Sequence, residues 1–174
     1  MSSADHERFM RRAIELSARA ALEYATGGPF GAVVVKDNKI VAEGMNRVMA
    51  SNDPTWNGEI EAIRLACITL RSFRLTGCTL YTTSEPCPMC VAASYWAEIE
   101  RIYYSATVED TLRYGQFDNR FLYKELALPP EQRQLPLTRL LPGEAAEVWK
   151  KYQAGRDAGL NRMGPALPPR TELF

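Results

Sequence analysis

Four short runs of β-forming residues, separated by segments of helical period, constrain this 174-residue chain more than any other feature. Phe30 to Val35 and Ile40 to Gly44 flank the turn-forming Lys36-Asp37-Asn38-Lys39, which predicts a hairpin. Thr79 to Thr83 and Arg101 to Ser105 read as two further strands. From about Asp5 to Tyr24 the apolar residues Phe9, Met10, Ala13, Ile14, Ala20, Ala21 and Tyr24 recur near a period of 3.6, an amphipathic helix stopped by Gly27-Gly28-Pro29. A second helix follows Pro54 and carries Ile60, Ile63, Ala66, Cys67 and Leu70 on one face. Pro86 to Ala97 forms a short third helix and Val108 to Tyr114 a fourth. A hairpin followed by helix–strand–helix–strand implies an α/β fold with a mixed sheet, parallel in its later strands and covered by helices on both faces.

After Leu126 the texture changes. Pro129, Pro130, Pro136 and Pro142 punctuate the chain, and Glu144 to Ala154 reads as a last helix with Ala145, Val148, Trp149 and Tyr152 facing inward. The expected organisation is one domain over residues 1–154 and an extended tail over 155–174. With 46% hydrophobic and 24% charged residues, the chain has an ordinary globular balance. Its 21 basic and 21 acidic residues cancel, whereas a protein that grips many phosphates carries a basic excess. That weighs against a nucleic-acid substrate and for a small neutral one. The polar start lacks the basic and apolar regions of a signal peptide, and no apolar run reaches membrane-spanning length. A cytoplasmic protein is expected, with no membrane partner.

In that setting four cysteines do not form a disulfide framework. Cys67 and Cys78 sit among apolar neighbours and read as packing residues. Cys87 and Cys90, in Pro86-Cys87-Pro88-Met89-Cys90, fall on one turn at the start of a helix, where both sulfurs can face a single point. The positive end of the helix favours thiolates there. Two thiolates neutralise Zn²⁺, and a third ligand plus water completes an open tetrahedral site. Asn57 and Glu59 also begin a helix, two residues apart, so that the first would reach the metal and the second its water. Taken singly, the cysteines could be a redox pair and the glutamate a surface residue favoured by the helix dipole.

Asn57-Gly58-Glu59 with Pro86-Cys87-Pro88-Met89-Cys90 resembles the H-x-E…P-C-x-x-C signature of nucleobase deaminases, with asparagine in the histidine position. The chain is similar to the cytidine-deaminase-like superfamily, and within it to bacterial guanine deaminases and related nucleoside deaminases. The likeness extends through Gly27-Gly28-Pro29-Phe30-Gly31-Ala32-Val33, Asn52-Asp53-Pro54-Thr55, Tyr95-Trp96-Ala97, Phe117-Asp118 and Leu122-Tyr123-Lys124-Glu125. It implies a three-layer α/β/α fold with a five-stranded mixed sheet, a homodimer, one Zn²⁺ per subunit, and C-terminal segments exchanged between subunits. Asn57, Cys87 and Cys90 would bind zinc, and Glu59 would shuttle protons. Asn46 would hydrogen-bond the base edge, Phe30 would stack on the ring, Trp96 would line the pocket, and Asp118 would meet a purine amino group, helped by the terminal aromatic Phe174.

Apart from the resemblance, Phe30 and Trp96 could be core aromatics, Asn46 a loop-shaping residue and Asp118 a helix cap or surface acid. Phe174 lacks the hydroxyl of the family's usual terminal tyrosine. Asn57 is the main departure, since an amide oxygen is a harder and poorer zinc ligand than imidazole. The sole histidine, His6, lies on the first helix and cannot replace it. Asn57 is therefore a working ligand of altered affinity, a substitution in an ordinary enzyme, or the mark of a pseudoenzyme. The implied activity is hydrolytic deamination of a purine base or nucleoside of guanine type by a zinc-activated water. The alternatives are a catalytically silent base-binding protein of the same fold and a tRNA adenosine deaminase.

Overall fold

The computed structural model describes residues 1–159. The chain divides into two compact units, one of Met1–Leu128 and one beginning at Pro129. In the first, helix α1 (Ser3–Ala18) starts on a capping box, with the Ser2 hydroxyl accepting from the Asp5 N–H and the Asp5 carboxylate accepting from the Ser2 N–H. It runs on through a π-helical turn, Arg19–Glu23. Strands β1 (Gly31–Lys36) and β2 (Lys39–Met45) form the expected hairpin, with Asp37 and Asn38 both at positive φ in a two-residue turn that suits the strand twist. A short helix α2 (Val48–Ser51) lies in the polar stretch after β2, and α3 (Gly58–Leu70) follows it. Strand β3 (Thr79–Ser84), helix α4 (Pro88–Trp96) and strand β4 (Arg101–Ala106) come next. Helices α5 (Val108–Gly115) and α6 (Arg120–Ala127) complete the unit.

The sheet order is β2-β1-β3-β4. The pairs β2–β1 and β1–β3 are antiparallel and β3–β4 is parallel, so the mixed sheet with parallel later strands is present. Among the described residues it has four strands, not the five that the family resemblance implied. The chain after β4 is amphipathic at helical period and opens on a second capping box, Thr107 with Asp110, which commits it to α5.

Both faces of the central strands are covered. Alternate residues of β1 and β3 point to opposite sides. Ala32, Val34 and Leu80 pack with Ile63, Ala66 and Ala97 on the α3–α4 side, while Val33, Val35 and Tyr81 pack with Phe9 and Leu16 of α1. Cys78 is buried in the first cluster and Cys67 packs against it. Gly44 of β2 sets the position of α3: a β-carbon there would run into the Gly58 carbonyl and lie 2.5 Å from the Ala62 nitrogen. The helix N-terminus therefore sits directly against the hairpin.

The second unit contains a single turn of 3₁₀ helix, Pro130–Gln132, and α7 (Pro142–Asp157). The inward face expected of Ala145, Val148, Trp149 and Tyr152 is not buried: Val148 and Trp149 are exposed, and Trp149 meets Tyr152 edge-on at 6.0 Å. The helix also runs past Ala154, into the stretch expected to be an extended tail. Phe174 and the residues from 160 onward lie outside the described part. No helix among the described residues is long and apolar enough to cross a membrane.

Candidate active site

Asn57 is the N-cap of α3 and Cys87 the N-cap of α4, so the two motif segments meet as two neighbouring helix starts. Pro88 at the first position of α4 costs no hydrogen bond, because that N–H has no helical partner. Asparagine is among the best N-caps, yet the Asn57 side chain does not cap its helix. Its Nδ2 donates instead to Cys87 Sγ at 3.5 Å and to Cys90 Sγ at 3.4 Å. The two sulfurs are 3.7 Å apart.

These distances test whether the group fits a zinc ion. Two thiolates about 2.3 Å from a tetrahedral zinc stand about 3.8 Å apart, close to the separation found. Turning the Asn57 amide by half a rotation exchanges nitrogen for oxygen and aims a donor at the same point. The three side chains thus fit a tetrahedral ion with one open position. Among the described residues no group of three or more His, Cys, Asp or Glu side chains could hold a metal ion, so a third donor beside the two cysteines would have to be the Asn57 amide. His6 bonds instead to the Tyr81 hydroxyl at 2.6 Å and packs on Tyr103 beneath α1.

The hydrogen bond with Cys90 lowers the Cys87 thiol below its ordinary value, helped by backbone N–H groups of the helix start. Cys90 moves the other way, raised by its bond to Cys87 and by burial. Glu59, in the first turn of α3, is almost fully buried, and burial raises its carboxyl above the ordinary value. The Thr82 hydroxyl of β3 donates to Glu59 Oε1 at 2.9 Å, opposing that rise, as does Cys90.

A cavity of about 330 Å³ opens onto this group. Asn57, Glu59 and Cys87 form its reactive end, and Phe30 and Phe117 supply flat apolar walls with ring centres 5.2 Å apart. Asn46 lines it, as do Val48, Met49 and Pro54 from the polar loop after β2. Gly27 makes room for Asn46, since a β-carbon there would collide with its Oδ1.

A model of the cytidine and deoxycytidylate deaminase zinc-binding region matches residues 3–106. The chain belongs to this deaminase family. It is 48% identical over 151 residues to guanine deaminase of Bacillus subtilis, covering 85% of this chain and 96% of that protein. The crystal structure of guanine deaminase from Bacillus subtilis superposes with a TM-score of 0.84 at 40% identity, covering 93% of this chain and 99% of that one. A tRNA-specific adenosine deaminase of Agrobacterium fabrum is 45% identical over 103 residues, 59% of this chain and 66% of that protein.

Two of the site residues expected from this deaminase family's pattern fall elsewhere. Trp96, at the end of α4, is 72% exposed and does not line the cavity. The motif fixes Cys87 and Cys90 toward the site, and Trp96, six residues after Cys90 on the same helix, is carried round to another face. Asp118 pairs with Arg120 at 2.7 and 2.8 Å and accepts its N–H, which holds the carboxyl down to about 2 and keeps it outside the lining. Its neighbours Phe117 and Asn119 line the cavity instead. The surface-acid reading of Asp118 describes its surroundings.

Asn119 and Glu85 were missed by sequence reasoning. Asn119 is buried and its Oδ1 has no hydrogen-bond partner, an omission that costs about 1–3 kcal/mol for a buried acceptor. Glu85 follows β3 directly and accepts weakly from the Val108 N–H at 3.4 Å. The proximity of Glu85 to Pro86-Cys87 was the available signal; Asn119 offered none beyond its place beside Asp118.

Proposed function

We propose that this chain binds a purine base of guanine type and removes its exocyclic amino group by hydrolysis. The observation that carries this reading is the meeting of buried Glu59 with Asn57, Cys87 and Cys90 at the end of an aromatic-walled cavity. The guanine-type substrate rests on the likeness to the Bacillus subtilis enzyme over nearly its whole length. The zero net charge and the partial overlap with the tRNA deaminase make a tRNA substrate the weaker reading.

Phe30 would stack on the planar ring, with Phe117, tilted against Phe30 at 5.2 Å, forming the wall beside it. Asn46 presents a donor, its Nδ2, while Asn119 Oδ1 and the Glu85 carboxylate present acceptors. A base carrying both a carbonyl and N–H groups complements such a set. Asn57, Cys87 and Cys90 would hold one zinc ion per subunit, which when bound supplies a Lewis acid that makes water nucleophilic near neutral pH. Glu59 would take a proton from the attacking water and deliver it to a ring nitrogen, then carry the second proton from the newly added hydroxyl to the departing amine as the carbonyl forms. A carbon–oxygen bond forms, the carbon–nitrogen bond breaks, and ammonia leaves. Burial raises the Glu59 carboxyl above its ordinary value, which favours its holding a proton between the steps. The Thr82 hydroxyl fixes its orientation.

The same reading includes a homodimer and a cytoplasmic setting, where thiols stay reduced. Support for the dimer comes from the β4 edge, which pairs on one side only among the described residues, and from exposed Tyr95, Trp96 and Tyr104 near it. A silent base-binding protein is the second reading, favoured by one feature, an amide where imidazole is expected.

Ammonia release from guanine, guanosine, adenosine and cytosine, with zinc content measured in parallel, tests both. Release from guanine or guanosine, reduced at least about 100-fold by Glu59→Ala, is the expected result. Turnover untouched by Glu59→Ala sinks the mechanism, and base binding without ammonia from either the native chain or Asn57→His selects the silent reading.

A further inference from the structure

Glu61 stands two residues beyond Glu59 on α3, and the two carboxylates serve different partners. Glu59 meets Thr82 and the sulfur pair, whereas Glu61 reaches the end of β2. Its Oε2 accepts the Met45 N–H at 2.8 Å, and its Oε1 accepts the Arg47 Nε–H at 2.8 Å. The carboxylate is only 14% exposed, so these charge-assisted bonds are poorly screened. Their donors belong to the residues on either side of Asn46.

Every other polar group of Asn46 is already engaged. Its N–H donates to the Phe30 carbonyl at 2.8 Å, and its carbonyl accepts from the Thr26 hydroxyl at 2.7 Å. Its Oδ1 accepts the Val48 N–H at 3.2 Å. Nδ2 takes no partner within the protein among the described residues, and Asn46 lines the cavity. The amide is therefore oriented by its own backbone, with the donor left for a ligand.

We infer that Glu61 is a positioning residue for base recognition: by holding Met45 and Arg47 it fixes the segment that aims Asn46 Nδ2 at an acceptor atom of the base. The inference rests on the purine-binding reading above and extends it to a residue that touches neither substrate nor metal. The geometry is demanding, because a displacement of about 1 Å at a binding group costs up to about 100-fold. Losing the Glu61 anion would free both flanks of Asn46 together.

The test is a double-mutant cycle on guanine affinity, read by equilibrium dialysis in a Glu59→Gln background so that no turnover consumes the ligand. Glu61→Gln keeps the side-chain length but sets an amide donor against the Met45 or Arg47 donor. Glu61→Gln and Asn46→Ala should each raise Kd roughly 10- to 100-fold, and the double variant should bind no more weakly than Asn46→Ala alone. A purely structural role would not give that coupling. If Asn46→Ala weakens binding and Glu61→Gln does not, the positioning role is overturned while the purine reading stands. Losses that multiply in the double variant also overturn it, since Glu61 then acts by another route. Unchanged affinity in Asn46→Ala overturns this inference and leaves the purine reading standing, whereas no guanine binding at all overturns both. Should Glu61→Gln not fold, Arg47→Ala enters the same cycle, with a smaller loss that vanishes in the Asn46→Ala background.

Discussion

Asn57 places an amide where the deaminase motif has a histidine, with its side chain turned to the same two cysteines. The amide sits within 3.5 Å of both sulfurs, so its side chain addresses the cysteine pair and not the helix end. What changes is ligand strength, because amide oxygen binds zinc less well than imidazole nitrogen. Asn57→His should therefore raise zinc affinity at least about 10-fold, measured by competition with a chromogenic chelator. Equal affinity in the two chains would mean that residue 57 contributes nothing to holding the ion. The residues Asn57, Glu59, Cys87 and Cys90 were all legible in the sequence, because their spacing is local. Asp118 and Trp96 were not, because where a side chain points depends on its helix and its nearest charge. Arg120, two residues on, draws Asp118 away and leaves Asn119 at the wall.

At the scale of elements, strands and helices follow from short-range pattern, but their seams do not. The hairpin, β3 and β4 were readable from β-branched runs, and α1 and α3 from their periods. The small helix α2 escaped notice because four residues carry no period; it is held by Met49 and Ala50 donating to the Thr26 carbonyl. The seam between α1 and the sheet makes a pH-dependent prediction. Tyr81 is fully buried there, stacked on Tyr103 with ring centres 5.1 Å apart. Burial, with smaller effects of Tyr103 and Asp5, pushes its hydroxyl up to about 12 from the ordinary 10.0. Between those values the unfolded chain has lost a proton that the folded chain retains. Stability should fall as pH rises through that window. Thermal unfolding from about pH 9 to 12 measures the slope, and Tyr81→Phe should flatten it. An unchanged slope in Tyr81→Phe would assign the alkaline loss to other groups.

For the whole molecule, both hydrophobic clusters lie within the first unit, between Phe9 and Tyr103, so that unit contains the core and the cavity. Beyond it the exposed Val148 and Trp149 of α7 are apolar surface that one chain leaves in water. Sedimentation equilibrium should give twice the chain's 19.6 kDa, and a mass of one chain would remove the homodimer from the proposal. The sequence by itself determined the layered α/β class and the helix-start placement of both motif halves, because each depends on spacing within a few turns. The fold alone decided which neighbours face the cavity, Asn119 and Glu85 but not Asp118 or Trp96, and that Glu61 grips both sides of Asn46. Those contacts join residues that are far apart in the chain or on different faces of an element, and only the packing of α3 against Gly44 and of α4 beside it brings them within reach.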